Sequence, residues 1–153
     1  MIKLFTDGAA QGNPGPGGYG VILKYGSHVK ELSEGFRHTT NNRMELMAVI
    51  AGLEAIKKLG IPIIIYSDSK YVVEAVNQKW IWGWEKKDFK KKANADLWKR
   101  YIVLHKKFNP QFVWIKGHAG HAENERCDQL AVSAAEGYDL NVDEWYEQNK
   151  DAE

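Results

Sequence analysis

The hydrophobic pattern changes period along the chain, and each change marks a new element. Leu4 to Asp7 alternates with a period of two, Leu4 and Thr6 to one side and Phe5 and Asp7 to the other, as in a strand whose end is marked by Gly8. Tyr19 to Tyr25 and His28 to Phe36 read as two more strands joined through Gly26 and Ser27, which predicts a three-stranded antiparallel meander. The period then lengthens: Leu46, Met47, Ile50, Leu53, Ala55 and Ile56 recur at helical spacing until Gly60 and Pro62. Pro62 to Ser67 is a nearly continuous apolar run of the kind covered on both faces, and the helix before it predicts a parallel crossover onto the first strand. A short helix over Ser69 to Val76 follows, then an amphipathic helix over Asp96 to Phe108 with Leu97, Tyr101, Leu104 and Phe108 inward. A last strand over Gln111 to Ile115 and a helix over Ala122 to Glu136 close the pattern.

This arrangement leaves acids at the ends of apolar elements. Two adjacent parallel strands that both terminate in aspartate, Asp7 and Asp68, place two carboxylates at the carboxyl edge of the sheet, where open α/β sheets bind ligands. Glu45 and Asp128 lie on helices beside apolar neighbours, and four such acids suggest a metal site. Each also has a purely structural account. Asp7 fits a turn residue, Glu45 the third helical position of a capping box begun by Asn42, Asp68 a cap for the helix that follows, and Asp128 an exposed helical acid. The Gly-Pro stretch from Gly12 to Gly18 reads either as a plain hairpin connection or as a surface where ligand backbone comes close. His118 and His121 share a loop, but the only other Cys or His at ligand spacing is Cys127, inside a helix, which argues against zinc.

Composition narrows the picture further. The 153 residues show no linker or repeat and read as one domain. A single cysteine excludes an intramolecular disulfide, and neither a signal peptide nor an apolar run of membrane-spanning length is present, so a soluble, cytoplasmic protein is expected. The net charge of +1 conceals a strong polarity: Lys86 to Lys107 carries nine cations against two acids, whereas Glu136 to Glu153 carries seven acids against Lys150. From Lys79 to Lys92, at the start of this basic segment and just before it, lysines are interleaved with Trp80, Trp82, Trp84 and Phe89, and the stretch reads as a basic protrusion. That mixture suits a nucleic-acid backbone, charge for phosphate and flat rings for sugars and bases, although a solvated lysine face is the alternative.

Taken together, Phe5-Thr6-Asp7-Gly8, Gly12-Asn13-Pro14-Gly15-Pro16-Gly17-Gly18, Thr39 to Glu45, Tyr66-Ser67-Asp68-Ser69, Asp96-Leu97-Trp98 and Gly117 to His121 through Asn124 to Asp128 resemble type 1 ribonuclease H of the bacterial, single-domain kind. The resemblance implies an α/β fold with a five-stranded mixed sheet in the order 3-2-1-4-5, its first three strands antiparallel, flanked by helices. It places the catalytic domain in residues 1–137 and leaves residues 138–153 as an acidic, partly flexible tail. It implies an endonuclease that hydrolyses the RNA strand of an RNA/DNA hybrid and leaves 5′-phosphate and 3′-hydroxyl ends, acting as a monomer.

The implied cofactor is a pair of Mg2+ ions about 4 Å apart, with Mn2+ as a possible substitute, held by Asp7, Glu45, Asp68 and Asp128. By the same resemblance Asp7 bridges both ions, Asp128 completes the one that activates water, and Glu45 and Asp68 hold the one at the departing oxygen. His118 is an auxiliary group. Asn13, Asn41 and Asn42 resemble minor-groove and 2′-hydroxyl contacts, Thr40 and Asn94 a pocket for a DNA phosphate, and Trp80, Trp84, Lys86 and Lys87 a handle for the hybrid. Lys70 and His38 depart from the glutamine and arginine common at these places. A DNA-directed polynucleotidyl transferase or a non-catalytic hybrid-binding module are the alternatives.

Overall fold

The structure, a computed structural model, describes residues 1–117 and 120–150. Five strands, β1 (Ile2–Ala10), β2 (Gly15–Tyr25), β3 (His28–Thr39), β4 (Ile63–Ser67) and β5 (Gln111–Trp114), form one sheet in the order β3-β2-β1-β4-β5. The first three are antiparallel and β4 runs parallel to β1, as the sequence predicts, and β5 runs parallel to β4. The helices are α1 (Asn41–Glu54), α2 (Lys70–Asn77), α3 (Trp80–Lys86), α4 (Ala95–Phe108), α5 (Ala122–Ala135) and α6 (Glu144–Asn149).

The two faces of the sheet are covered differently. Leu4, Thr6 and Val21 face α1, where Gly52 lets the helix settle onto Leu4 and Val21, and α4 packs behind α1. On the opposite face α5 lies almost backbone to backbone on the meander. A Cβ on Gly18, Gly20 or Gly35 would stand 2.4, 2.3 or 2.0 Å from the carbonyl oxygens of Ala131, Cys127 and Ala134, so nothing larger than glycine fits beneath this helix. Gly18 and Gly35 are cross-strand partners and Gly20 is the partner of Asp7, which makes the groove a feature of the sheet surface.

Several boundaries differ from the sequence reading, each for a physical reason. β1 does not stop at Gly8 but continues to Ala10, because β2 starts as early as Gly15 and supplies partners for Gly8, Ala9 and Ala10. Ala55 and Ile56 lie beyond the end of α1, yet Ile56 remains buried, so the periodicity there reports burial and not helix. Ser69, not Asp68, caps α2 by accepting from the Val72 N–H. The basic protrusion contains a helix of its own, α3, that the aromatic-rich pattern hid. After it the chain turns through left-handed residues at Asp88, Phe89, Lys91 and Asn94 before α4.

The acidic C-terminal segment follows the edge of β3. Asn141 forms a parallel bridge with Phe36, donating its N–H to the Gly35 carbonyl at 2.9 Å and accepting from the Arg37 N–H at 2.9 Å. Asp143 then caps α6 and is buried.

Candidate active site

The sheet brings the acids together at one edge. Thr6 and Ser67 are the last parallel partners of β1 and β4, so Asp7 and Asp68 follow side by side where the two strands part. Glu45 arrives from α1. Gly8 makes this possible, since a Cβ there would stand 2.4 Å from the backbone of both Met44 and Glu45, and the Gly8 N–H instead donates to Glu45 Oε1. The capping box that was the structural alternative for Glu45 is absent: Thr40 is the N-cap, accepting from the Arg43 N–H at 3.2 Å. Glu45 therefore stands too far along α1 to cap it, and its carboxylate is turned to the sheet edge.

Asp7, Glu45 and Asp68 each offer a carboxylate oxygen within 4.8 Å of the others. Asp128, on α5, lines the same cleft of about 430 Å3. Its height over the sheet is set by the preceding residue, because the Cys127 carbonyl rests over Gly20 and Gly20 is the strand partner of Asp7. Asp68 is steadied by Trp114, whose indole N–H donates to the Asp68 carbonyl at 3.0 Å, and Gly117 packs against its carboxylate, where a Cβ would stand 2.8 Å from Oδ2 and displace it.

Crowding of acids has an electrostatic signature. Burial, reinforced by the charges of Asp68 and Asp128, pushes the Asp7 carboxyl up to about 7. Burial and the charges of Asp7 and Asp68 hold Glu45 well above the usual carboxylate range. Carboxylates gathered at such a cost fit a hard divalent cation, which takes oxygen ligands and removes the repulsion.

Of the expected substrate residues, two reach this cleft directly. Asn41 and Asn42 line it, and Asn41 accepts from the Ala10 N–H at 2.5 Å. Asn13 accepts from the Asn41 N–H at 3.0 Å, which ties the Gly-Pro loop to the start of α1. Thr40 and Asn94 are joined through Arg43, a residue the sequence reading passed over, whose backbone donates to Thr40 and whose Nη1 donates to Asn94 Oδ1 at 3.4 Å. In the handle, Trp80 is half exposed, and Lys86 and Lys87 are exposed. Trp84 is half-buried against Trp98, their ring centroids 5.2 Å apart, with Lys92 Nζ 3.7 Å from its own centroid. His118 lies outside the described residues.

Sequence and structure comparisons point the same way. Residues 1–136 match the RNase H family model. A ribonuclease H from Desulforamulus reducens is 53% identical over 147 residues, covering 93% of this chain and 92% of that protein. One from Photorhabdus laumondii is 49% identical across 99% of this chain and 98% of its own length. Among solved structures, LC9-RNase H1, described as a type 1 RNase H with the type 2 active-site motif, superposes with a TM-score of 0.80 at 29% identity, covering 99% of this chain and 82% of that one. LC11-RNase H1, solved in complex with an RNA/DNA hybrid, gives 0.71 at 25% identity over 89% of this chain and 97% of that one. With the acid cluster, the sheet order and these matches in agreement, the chain belongs to the ribonuclease H family.

Proposed function

We propose that the protein hydrolyses the RNA strand of RNA/DNA hybrids with two Mg2+ ions held by Asp7, Glu45, Asp68 and Asp128, Mn2+ being a possible substitute. The observation that carries this reading is the convergence of Asp7, Glu45 and Asp68 oxygens within 4.8 Å in a cleft that Asp128 also lines. Asp7, on which Glu45, Asp68 and Asp128 all act, would be shared by both ions. Glu45 and Asp68 would hold one ion and Asp128 the other. When bound, the ions supply a more acidic attacking water and a counter-charge for the departing 3′ oxygen, and the products are a 5′-phosphate and a 3′-hydroxyl.

The remaining roles belong to side chains of the chain itself. Asn13, Asn41 and Asn42 are assigned to the minor groove and the 2′-hydroxyls that mark the RNA strand, and Thr40 and Asn94 to a phosphate of the DNA strand. Trp80, Trp84, Lys86 and Lys87 hold the hybrid away from the chemistry. His118 is assigned an auxiliary part in moving a proton at the attacking water or the leaving product. The catalytic unit is placed in residues 1–137. No helix among the described residues is long and apolar enough to cross a membrane, and the protein is proposed to act as a cytoplasmic monomer.

A gel assay with end-labelled RNA tests this reading. Cleavage of RNA in a hybrid with Mg2+, its loss on chelation, and an intact duplex DNA control are expected. Cleavage of duplex DNA with the hybrid spared would transfer the protein to the DNA-directed alternative.

A further inference from the structure

Arg43 is the most completely enclosed cation in the described part of the molecule, with only 1% of its surface exposed. Its guanidinium is gripped by two carboxylates from distant parts of the chain. Asp143 accepts from Nε at 2.7 Å and from Nη2 at 2.9 Å, and Asp96, at the start of α4, accepts from Nη1 and Nη2 at 2.8 Å each. Trp145 and Tyr146, just after Asp143, stand with their rings 5.1 and 5.9 Å from the guanidinium carbon. Asp143 is itself fixed by the Thr39 hydroxyl, which donates to it at 2.7 Å, and it is 4% exposed.

The position of Arg43 matters because of what it touches next. Its backbone N–H binds the Thr40 hydroxyl oxygen, and its Nη1 reaches Asn94 Oδ1. Asn94 is held from its other end by Tyr71, whose hydroxyl accepts from Asn94 Nδ2 at 2.9 Å and from the Trp98 indole at 3.0 Å. Thr40 begins α1 and Asn94 begins α4, 54 positions apart in sequence, and Arg43 is the residue that spans them. A planar guanidinium with its donors filled on two sides by carboxylates has one orientation, and so has whatever it holds on the third.

We propose that Asp143, contributed by the C-terminal segment, is a positioning residue for substrate binding: through Arg43 it fixes the spacing of Thr40 and Asn94, the pair assigned to a DNA-strand phosphate. The inference rests on that assignment. It gives the acidic segment a task at the binding surface, although none of its described residues lines the catalytic cleft. Asp143→Asn keeps the shape and one acceptor but removes the charge and one of the two hydrogen bonds, so Asp96 is left as the one carboxylate on the guanidinium and the grip on Asn94 loosens.

The test is a double-mutant cycle on hybrid binding and turnover, at a temperature where circular dichroism shows every variant folded. Asp143→Asn should raise the KM and the Kd for the hybrid by about 3- to 30-fold, the range seen for coupled neighbours, with kcat changed less than about two-fold. In an Asn94→Ala background the same substitution should change Kd by less than about two-fold, because the group it positions is gone. A full effect of Asp143→Asn in that background, or an unchanged KM in the parent, overturns the proposal while leaving the phosphate assignment intact. An unchanged KM for Asn94→Ala alone refutes the assignment itself, and the positioning role with it. If Asp143→Asn does not fold, Asp143→Glu, which keeps the charge but displaces it by one methylene, takes its place in the cycle with the same expected and overturning results.

Discussion

Asp7 is asked to be buried, to face Asp68 and Asp128, and still to be ionised when a cation arrives. Its carboxyl is pushed up to about 7, so the metal-free folded state holds this proton more tightly than the unfolded chain does. The sign follows. Between about pH 4 and pH 7 folding takes up a proton, and metal-free stability from this group is full below the unfolded value near 4 and lost as pH rises through 7. Asp7→Asn should therefore abolish hydrolysis yet melt higher than the parent in chelator at pH 8, by about 1–4 kcal/mol, with the difference fading toward pH 4. Melting curves at the two pH values check this, and a variant that cleaves hybrid at the parental rate would end the two-metal reading. At this scale the meeting of Asp7 and Asp68 was legible, because carboxylates at the ends of two apolar strands are visible in a linear pattern, whereas Glu45 and Asp128 sit on helices and were read largely by resemblance. The capping of α1 stayed open there, since Asn42 and Thr40 are both good caps and only the backbone shows that Thr40 holds that place. Arg43 was invisible because its partners, Asp96 and Asp143, lie 53 and 100 positions away.

The elements were legible wherever one face of a segment is apolar, which covers all five strands and α1, α2, α4 and α5. α3 was hidden because its residues Trp80, Trp82 and Trp84 alternate like a strand while Ile81 alone is buried. The glycine groove under α5 was hidden for another reason: Gly18 ends a Gly-Pro stretch and looks like a turn residue, Gly20 and Gly35 are single glycines in two different strands, and only the sheet shows the three beneath one helix. Gly20→Ala should lift α5 at the turn that carries Asp128. We expect a loss of about 1–3 kcal/mol in stability from overpacking and a fall in kcat of roughly 10- to 100-fold from the misplaced carboxylate. The expected KM is close to parental, since no assigned substrate contact lies on α5, and a kcat within two-fold of the parent would show that α5 can rise without moving Asp128. The handle makes the opposite prediction. Replacing Lys86, Lys87, Lys90, Lys91 and Lys92 by Ala should raise KM far more than it lowers kcat, because phosphate contacts act in ground and transition states alike. If all five meet phosphates, the slope of log affinity against log salt flattens by about 4 to 5, and coincident slopes for parent and variant would mark a merely solvated face.

At the scale of the whole molecule, opposite charges concentrate in two segments: Lys86 to Lys107 carries nine cations against two acids, and Glu136 to Glu153 seven acids against one cation. Parts of the acidic segment are engaged locally. Glu147 binds the exposed Arg37 through two hydrogen bonds of 2.9 and 3.0 Å, and Asp143 is enclosed with Arg43. The surface contact adds little stability by itself, about 0–1 kcal/mol, and the buried one serves geometry more than strength. The bridge between Asn141 and Phe36 has a different consequence, one for solubility. β3 is a twelve-residue outer strand, and an outer strand of that length is a template on which another chain can add its own. Asn141 occupies the Gly35 carbonyl and the Arg37 N–H, so a chain ending at Gly137 would leave those groups open to a neighbour. Such a truncated protein should sediment as a concentration-dependent mixture at tens of micromolar while the full chain remains monodisperse, and a monodisperse truncation would show that twist and charge along β3 protect it unaided.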